Sequence, residues 1–302
     1  MSAKFSRLLT VIMCFLALLS LGSIAFNLID RHRQIEQINR TQTANDLLTQ
    51  KKYAQAAAAY EELLQTSNAR PYRLWTNHGY ALLGLNNYQG ALDSCSQATA
   101  LNSGAALAWN CQGEALYYLQ QTQEALTSFK KAIAIQSENE VFWLNYSNIL
   151  ADLVNHKAAV VASKKAIALF QSQPQTAQTE VNLAHLYGQQ GHSLLELQQN
   201  QSALVAFEQS LSYQPEYLVA QQGQGIALYR LGRFRQAIKL FEGILRRDDL
   251  TAEQQAISWL YQGISLCETP QATTAAAAFE QVSRLTSNSR LRRMARSGCG
   301  IS

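Results

Sequence analysis

Histidine and cysteine are the side chains of this sequence whose spacing could support chemistry. His185 and His192 stand seven residues apart, two turns of a helix, and could share a face as a pair of metal ligands. The pattern places no carboxylate or cysteine beside them, so both are expected to be solvated rather than ligating. His78 directly precedes a recurring glycine and is expected to pack near a helix crossing, and His156 falls in a turn region. The five cysteines, Cys14, Cys95, Cys111, Cys267 and Cys299, are odd in number and form no C-x-x-C, which points to neither a disulfide framework nor a zinc site. Cys95 and Cys111 could be neighbours in the fold, but read first as small core thiols. A Gly-rich loop followed by Lys-Ser/Thr, a G-x-S-x-G and an H-E-x-x-H are all missing. The chain is therefore expected to be non-catalytic, with no cofactor and no metal.

The elements that carry these residues are helical by composition. The chain has 302 residues, more than one compact core usually holds, which calls for several domains or a repeat array. It is 47% hydrophobic and 15% charged with four prolines, a mixture that favours helix over disorder. The net charge of +4 is uneven: residues 1–33 carry +3 and residues 284–302 carry +5, leaving −4 for everything between. A basic groove for nucleic acid along the middle is not expected.

One pattern recurs along that middle. A small residue occupies positions 44, 79, 113, 147, 191, 225 and 263 (Ala, then Gly, Gly, Ser, Gly, Gly, Gly), at steps of 35, 34, 34, 44, 34 and 38 residues. Twelve residues further on stands an alanine every time: Ala56, Ala91, Ala125, Ala159, Ala203, Ala237 and Ala275. Four residues later comes a larger side chain in most copies: Tyr60, Cys95, Phe129, Ser163, Phe207, Phe241 and Phe279. All four tryptophans, Trp75, Trp109, Trp143 and Trp259, fall four residues before the first column, with Tyr187 in the same place. A fixed period near 34 is the mark of a repeat architecture, in which no unit can bury its apolar face alone and stacking buries it. Gly79 and Ala91 are expected to let two helices cross closely, while the aromatics fill the gap toward the next unit. Gly84 and Asn86-Asn87 read as the end of one helix and the turn before another that starts near Tyr88.

This pattern resembles the tetratricopeptide repeat, a helix–turn–helix unit of 34 residues. The resemblance implies an all-α, right-handed α-solenoid of about seven units over residues 37–289, near 37–70, 72–105, 106–139, 140–173, 184–217, 218–251 and 256–289. A basic cap and tail follows over 290–302, its short helix closing the last apolar surface. Ten extra residues are expected near 174–183, with Pro174 in a loop or a first helical turn, and four around residues 246–255. The family's first helices line a concave groove for a peptide or a partner helix. The column two residues after the tryptophans, aimed into that groove by the resemblance, reads Gln42, Asn77, Cys111, Asn145, Gln189, Gly223 and Tyr261. Side-chain amides can pair with any extended backbone, so Asn77, Asn145 and Gln189 are expected to contact a partner. Asn45, Tyr80, Glu114, Asn148 and His192 join them from the next column, and Tyr117 and Tyr229 a turn onward. The basic members of the family's carboxylate clamp are missing, with Thr41, Leu107 and Cys111 in their places. Arg290, Arg292, Arg293 and Arg296 offer a surface for anionic lipid or an acidic partner.

Residues 8–29 carry no charge over 22 positions, long enough to span a bilayer as an anchor behind a charged tail of residues 1–7, with 30–36 as linker. The rival is a signal peptide cleaved after Ser23-Ile24-Ala25, which would leave an exported scaffold. Basic residues flank the run on both sides, so the facing of the repeats stays open. An anchor ahead of such repeats is similar to that of cyanobacterial assembly factors, which implies a membrane-tethered scaffold that aids assembly or maintenance of a membrane complex. The remaining alternative is a regulatory subunit of an enzyme.

Overall fold

The computed structural model describes residues 27–66 and 71–300, and among these every regular element is a helix. The chain divides into two contact units, Met1–Ile135 and Gln136–Ser302. The first holds α1 (residues 27–49), α2 (Tyr53–Thr66), α3 (Tyr72–Gly84), α4 (Tyr88–Leu101), α5 (Ala106–Tyr118) and α6 (Thr122–Ile135). The second holds α7 (Glu140–Asp152), α8 (His156–Gln171), α9 (Ala177–Glu196), α10 (Asn200–Tyr213), α11 (Leu218–Arg230), α12 (Phe234–Leu245), α13 (Ala252–Cys267), α14 (Ala275–Leu285) and α15 (Ser289–Ser297). Within each unit, consecutive helices pack as hairpins and each hairpin packs on the next.

Six of the hairpin turns are built alike. Lys51, Asn86, Gln120, Val154, Gln198 and Gly232 all have φ between 58° and 72°. In each case the next residue's N–H bonds back to a leucine carbonyl five residues earlier: Leu47, Leu82, Leu116, Leu150, Leu194 or Leu228, all at 2.9 Å. This is a left-handed helix C-cap, which satisfies two carbonyls that the helix end would leave open. Asn87 and Asn155 then cap the following helices by accepting from Gly90 N–H at 3.1 Å and Ala158 N–H at 3.3 Å. The seventh turn departs because Pro270 occupies the left-handed position, and proline holds φ near −65°. A short 3-10 turn, Ala272–Thr274, replaces the motif.

The invariant alanines are all buried, none more than 2% exposed. The glycine column serves a different contact from the close backbone crossing expected of it. A Cβ on Gly113, Gly191 or Gly263 would stand 2.6, 2.7 and 2.7 Å from the rings of Phe129, Phe207 and Phe279 respectively, and one on Gly225 would meet Phe241. Each glycine thus receives the aromatic ring of its own hairpin's second helix. At Gly79 the sulfurs of Cys95 and Cys111 fill the same place. Where a tryptophan indole donates, it reaches the carbonyl six residues back in the preceding turn: Trp109 to Ser103 at 2.8 Å and Trp143 to Ser137 at 2.7 Å. Gln221, in the same column, donates to Pro215 at 2.8 Å.

The inserted residues lengthen helices. Pro174 lies in the loop after α8, Thr176 caps α9, and α9 runs 20 residues where α3, α5, α7 and α11 run 13. The later addition gives α13 a 16-residue length behind a capping box of Thr251 and Gln254. At the end, Leu291, Met294 and Ala295 of α15 pack onto Leu260, Phe279 and Val282. The basic residues of α15 do not act alike, since Arg292 donates to the Ser283 carbonyl at 3.0 Å while Arg290, Arg293 and Arg296 are exposed.

Two disulfides correct the reading of the cysteines as core thiols. Cys95 of α4 is bonded to Cys111 of α5, and Cys267 of α13 to Cys299 beyond α15, with Cα–Cα distances of 5.8 and 5.2 Å. The odd count hid them because Cys14 belongs to the apolar N-terminal run. The anchor expected over 8–29 lies outside the described residues as far as residue 26. No helix among the described residues is long and apolar enough to cross a membrane. Residues 30–36, expected as a linker, continue the helix of 27–49.

Candidate partner-binding clefts

Five residues of the column two after the tryptophans, Asn77, Cys111, Gln189, Gly223 and Tyr261, meet the preceding repeat. Asn77 donates to Asn45 Oδ1 at 3.0 Å, and the buried Tyr60 hydroxyl donates to the same oxygen at 2.6 Å. Cys111 is bonded to Cys95. Gly223 has Phe207 of the preceding hairpin against it, and Tyr261 stacks on Phe241 with ring centroids 6.1 Å apart. Gln189 Oε1 accepts from Ser147 at 3.3 Å, and its neighbour Gln190 is buried and donates to Ser163 at 3.0 Å. Asn77 and Gln189 are half-buried and already hydrogen-bonded inside the protein.

The next column is likewise partly engaged. The Tyr80 hydroxyl donates to the Leu107 carbonyl at 3.1 Å and accepts from the buried Asn110 amide at 3.1 Å, and Asn110 also donates to Glu114 at 2.5 Å. Burial and the nearby Glu114 charge push the Tyr80 phenol well up from its usual range. Tyr117 packs edge-on against Tyr118, which stacks on Tyr88 at 4.7 Å. Tyr229 packs against Phe234 and Tyr261. Asn145 and Asn148 lie half-buried on α7.

Each contact unit has a cleft walled mainly by first helices. In the first unit it holds about 490 Å³ between α1 and α3, with Gln37, Ile38, Gln42 and Asn45 on one wall and Arg73 and Leu74 on the other. In the second unit a cleft of about 310 Å³ lies among α7, α9 and the start of α11. Its walls carry Gln189 and His192, both expected at a partner surface, together with His185, Asp152, His156, Glu196 and Tyr217. Two carboxylates therefore do accompany the histidine pair. Asp152 comes from α7 by tertiary packing, and Glu196 stands one turn beyond His192 on α9 itself. No group of three His, Cys, Asp or Glu among the described residues could hold a metal ion. His192 packs edge-on against Phe207 at 5.0 Å, and desolvation pushes its imidazole below the usual histidine range.

These hairpins of fixed register, stacked through small residues and aromatic rings, define an all-α helical-repeat protein. Residues 41–106, 106–139, 184–217 and 223–289 match the tetratricopeptide repeat family, and the chain belongs to it. Among solved structures it is similar to PilF of Pseudomonas aeruginosa, 17% identical, covering 75% of this chain and 96% of that one with a TM-score of 0.59. It is also similar to the C-terminal part of a TPR protein from Cytophaga hutchinsonii, 13% identical over 84% and 98% of the two chains, TM-score 0.58. YrrB, described as a TPR protein with an unusual peptide-binding site, is 16% identical over 68% and 99%, TM-score 0.54. At these identities the likeness concerns the fold. No curated protein matches the chain.

Proposed function

We propose that this chain is a non-catalytic scaffold that holds an extended segment of a partner protein against its first helices. The observation that carries the proposal is the pair of clefts, one in each contact unit, walled mainly by first helices and lined with amides, imidazoles and apolar patches. Such a lining suits a polypeptide, which offers backbone hydrogen bonds and side chains of both kinds. Asn45, Gln189 and His192 are the members of the expected groove set that line these clefts, while Asn77 positions Asn45. The uncharged run of residues 8–29 is the proposed tether, and it would raise the local concentration of the scaffold beside a membrane complex.

The test is cross-linking of the full chain in its native membranes, followed by titration of the cross-linked segment. Cross-links should fall on α1, α3, α7 and α9, and Gln42→Ala with Gln189→Ala should weaken binding without changing the thermal midpoint. Cross-links confined to second helices, or unaltered binding by the double variant, would move the binding surface elsewhere. The two disulfides favour a particular facing, with the repeats in an oxidising compartment whether the N-terminal run is retained or cleaved.

A further inference from the structure

The second cleft is an unusual place to leave hydrogen-bonding capacity unused. Buried side-chain polar atoms almost always have partners, yet three orphans cluster here: Asn148 Oδ1, His156 Nδ1 and His192 Nε2. His156 and His192 wall the cleft, and Asn148 lies one turn before Asp152 on α7. The unpartnered His192 Nε2 can accept a hydrogen bond when the neutral ring carries its proton on Nδ1. Asp152 and Glu196 add two carboxylates, and Tyr217 adds an aromatic ring, a surface to which cations are drawn. Arg230 forms a long ion pair with Glu196 Oε1 at 3.9 Å through one nitrogen while the other donates to the Leu195 carbonyl, and at that distance Glu196 keeps lone pairs to offer.

From this arrangement we infer that the cleft among α7, α9 and α11 takes a cationic side chain, lysine or arginine, of the bound partner segment. Asn148 Oδ1 is an unpartnered acceptor, and the Asp152 and Glu196 carboxylates and the Tyr217 ring attract positive charge. An anionic side chain would face two carboxylates, and the apolar lining, Ala151 and Val219, is too small for a purely hydrophobic anchor. The body of the chain carries −4 overall, which draws a basic segment toward it. The inference rests on the scaffold proposal and names the chemistry of one of its contacts.

The test needs no partner. The full chain, labelled at the Cε1 carbons of its five histidines and held in detergent, gives five imidazole signals. It is titrated with N-acetyl-arginine methylamide, then with the neutral citrulline analogue and with N-acetyl-glutamate methylamide. The arginine probe should move the signals of His156, His185 and His192 and spare His32 and His78. Citrulline should bind roughly tenfold more weakly, the share expected of hydrogen bonds to a charged group. Glu196→Gln and Asp152→Asn should each weaken the arginine probe several-fold while the thermal midpoint stays in place. Equal binding of citrulline, preference for glutamate, or no movement of the three signals would overturn the inference. If the probe fails while a cross-linked partner still binds the first helices, the cation pocket falls and the scaffold stands. If the probe binds and no partner cross-links there, the scaffold is what fails.

Discussion

Phe207 is held between two glycines of successive repeats, Gly191 of its own hairpin and Gly223 of the next. One ring thus sets both the packing within a hairpin and the packing between hairpins. Gly223→Ala should overpack this contact and cost about 1–3 kcal/mol. Combining it with Phe207→Leu should cost less than the two single changes together, with a coupling of about 0.5–3 kcal/mol. Denaturant unfolding of the four species measures it. Strict additivity would show that the ring does not bear on Gly223.

Val154 occupies the left-handed turn position with φ 61°, although it is β-branched and 71% exposed. That conformation costs a non-glycine residue about 1–2 kcal/mol. Gly232 does the same task in the sixth turn without a Cβ. Val154→Gly should therefore stabilise the protein by about 0.5–1 kcal/mol after the extra chain entropy of glycine is counted. A raised thermal midpoint is the expected result, and a lowered one would mean that the exposed valine packs usefully.

Cys267–Cys299 spans 32 residues and ties the end of α15 back to α13. Alkylation of the unreduced, denatured full chain should modify Cys14 and none of the other four cysteines. Cys299→Ser should cost about 3 kcal/mol, the usual scale for opening a loop of this kind. Hydrogen exchange should accelerate first in α15, because solenoid stability is a sum of neighbour terms. Uniform acceleration across the second contact unit would contradict that.

His78 and His192 are both held below the ordinary histidine value of 6.5 by burial. Above that pH neither folded nor unfolded chain protonates them, and they contribute no pH dependence. As pH falls through 6.5 the unfolded chain takes the proton first, so stability drops until the folded values are reached. The depressed carboxylates, Glu138 beside Lys165 and Asp249 beside Arg247, act only in more acid solution. The thermal midpoint should fall between pH 7.5 and 5.5, and His192→Asn should flatten the fall. A midpoint independent of pH in this window would refute the assignment.

The fold was legible because stacking demands the same small residue, alanine and bulky residue at the same intervals, and those columns survive the drift of everything else. Asn86-Asn87 likewise announced a turn, since asparagine tolerates the left-handed conformation and caps the next helix. What the columns contact was harder to read. Gly191 and Phe207 lie 16 residues apart, and only the packing of the two helices makes one the socket of the other. Cys95 and Cys111 occupy two different columns, and their bond depends on those columns meeting across a repeat boundary. His156 and Tyr217 gave no signal, because their place beside His192 arises from the packing of helices distant in sequence.

The Cys267–Cys299 bond also changes where a mechanical load enters the molecule. Tension applied beyond Gly300 passes through Cys299 into α13 and bypasses α14 and α15. The two helices at the rim are thus spared from peeling, and the first contact to bear force is the junction of α13 with α12. A chain pulled from that end would yield by parting two whole hairpins, while its last turn stays shut.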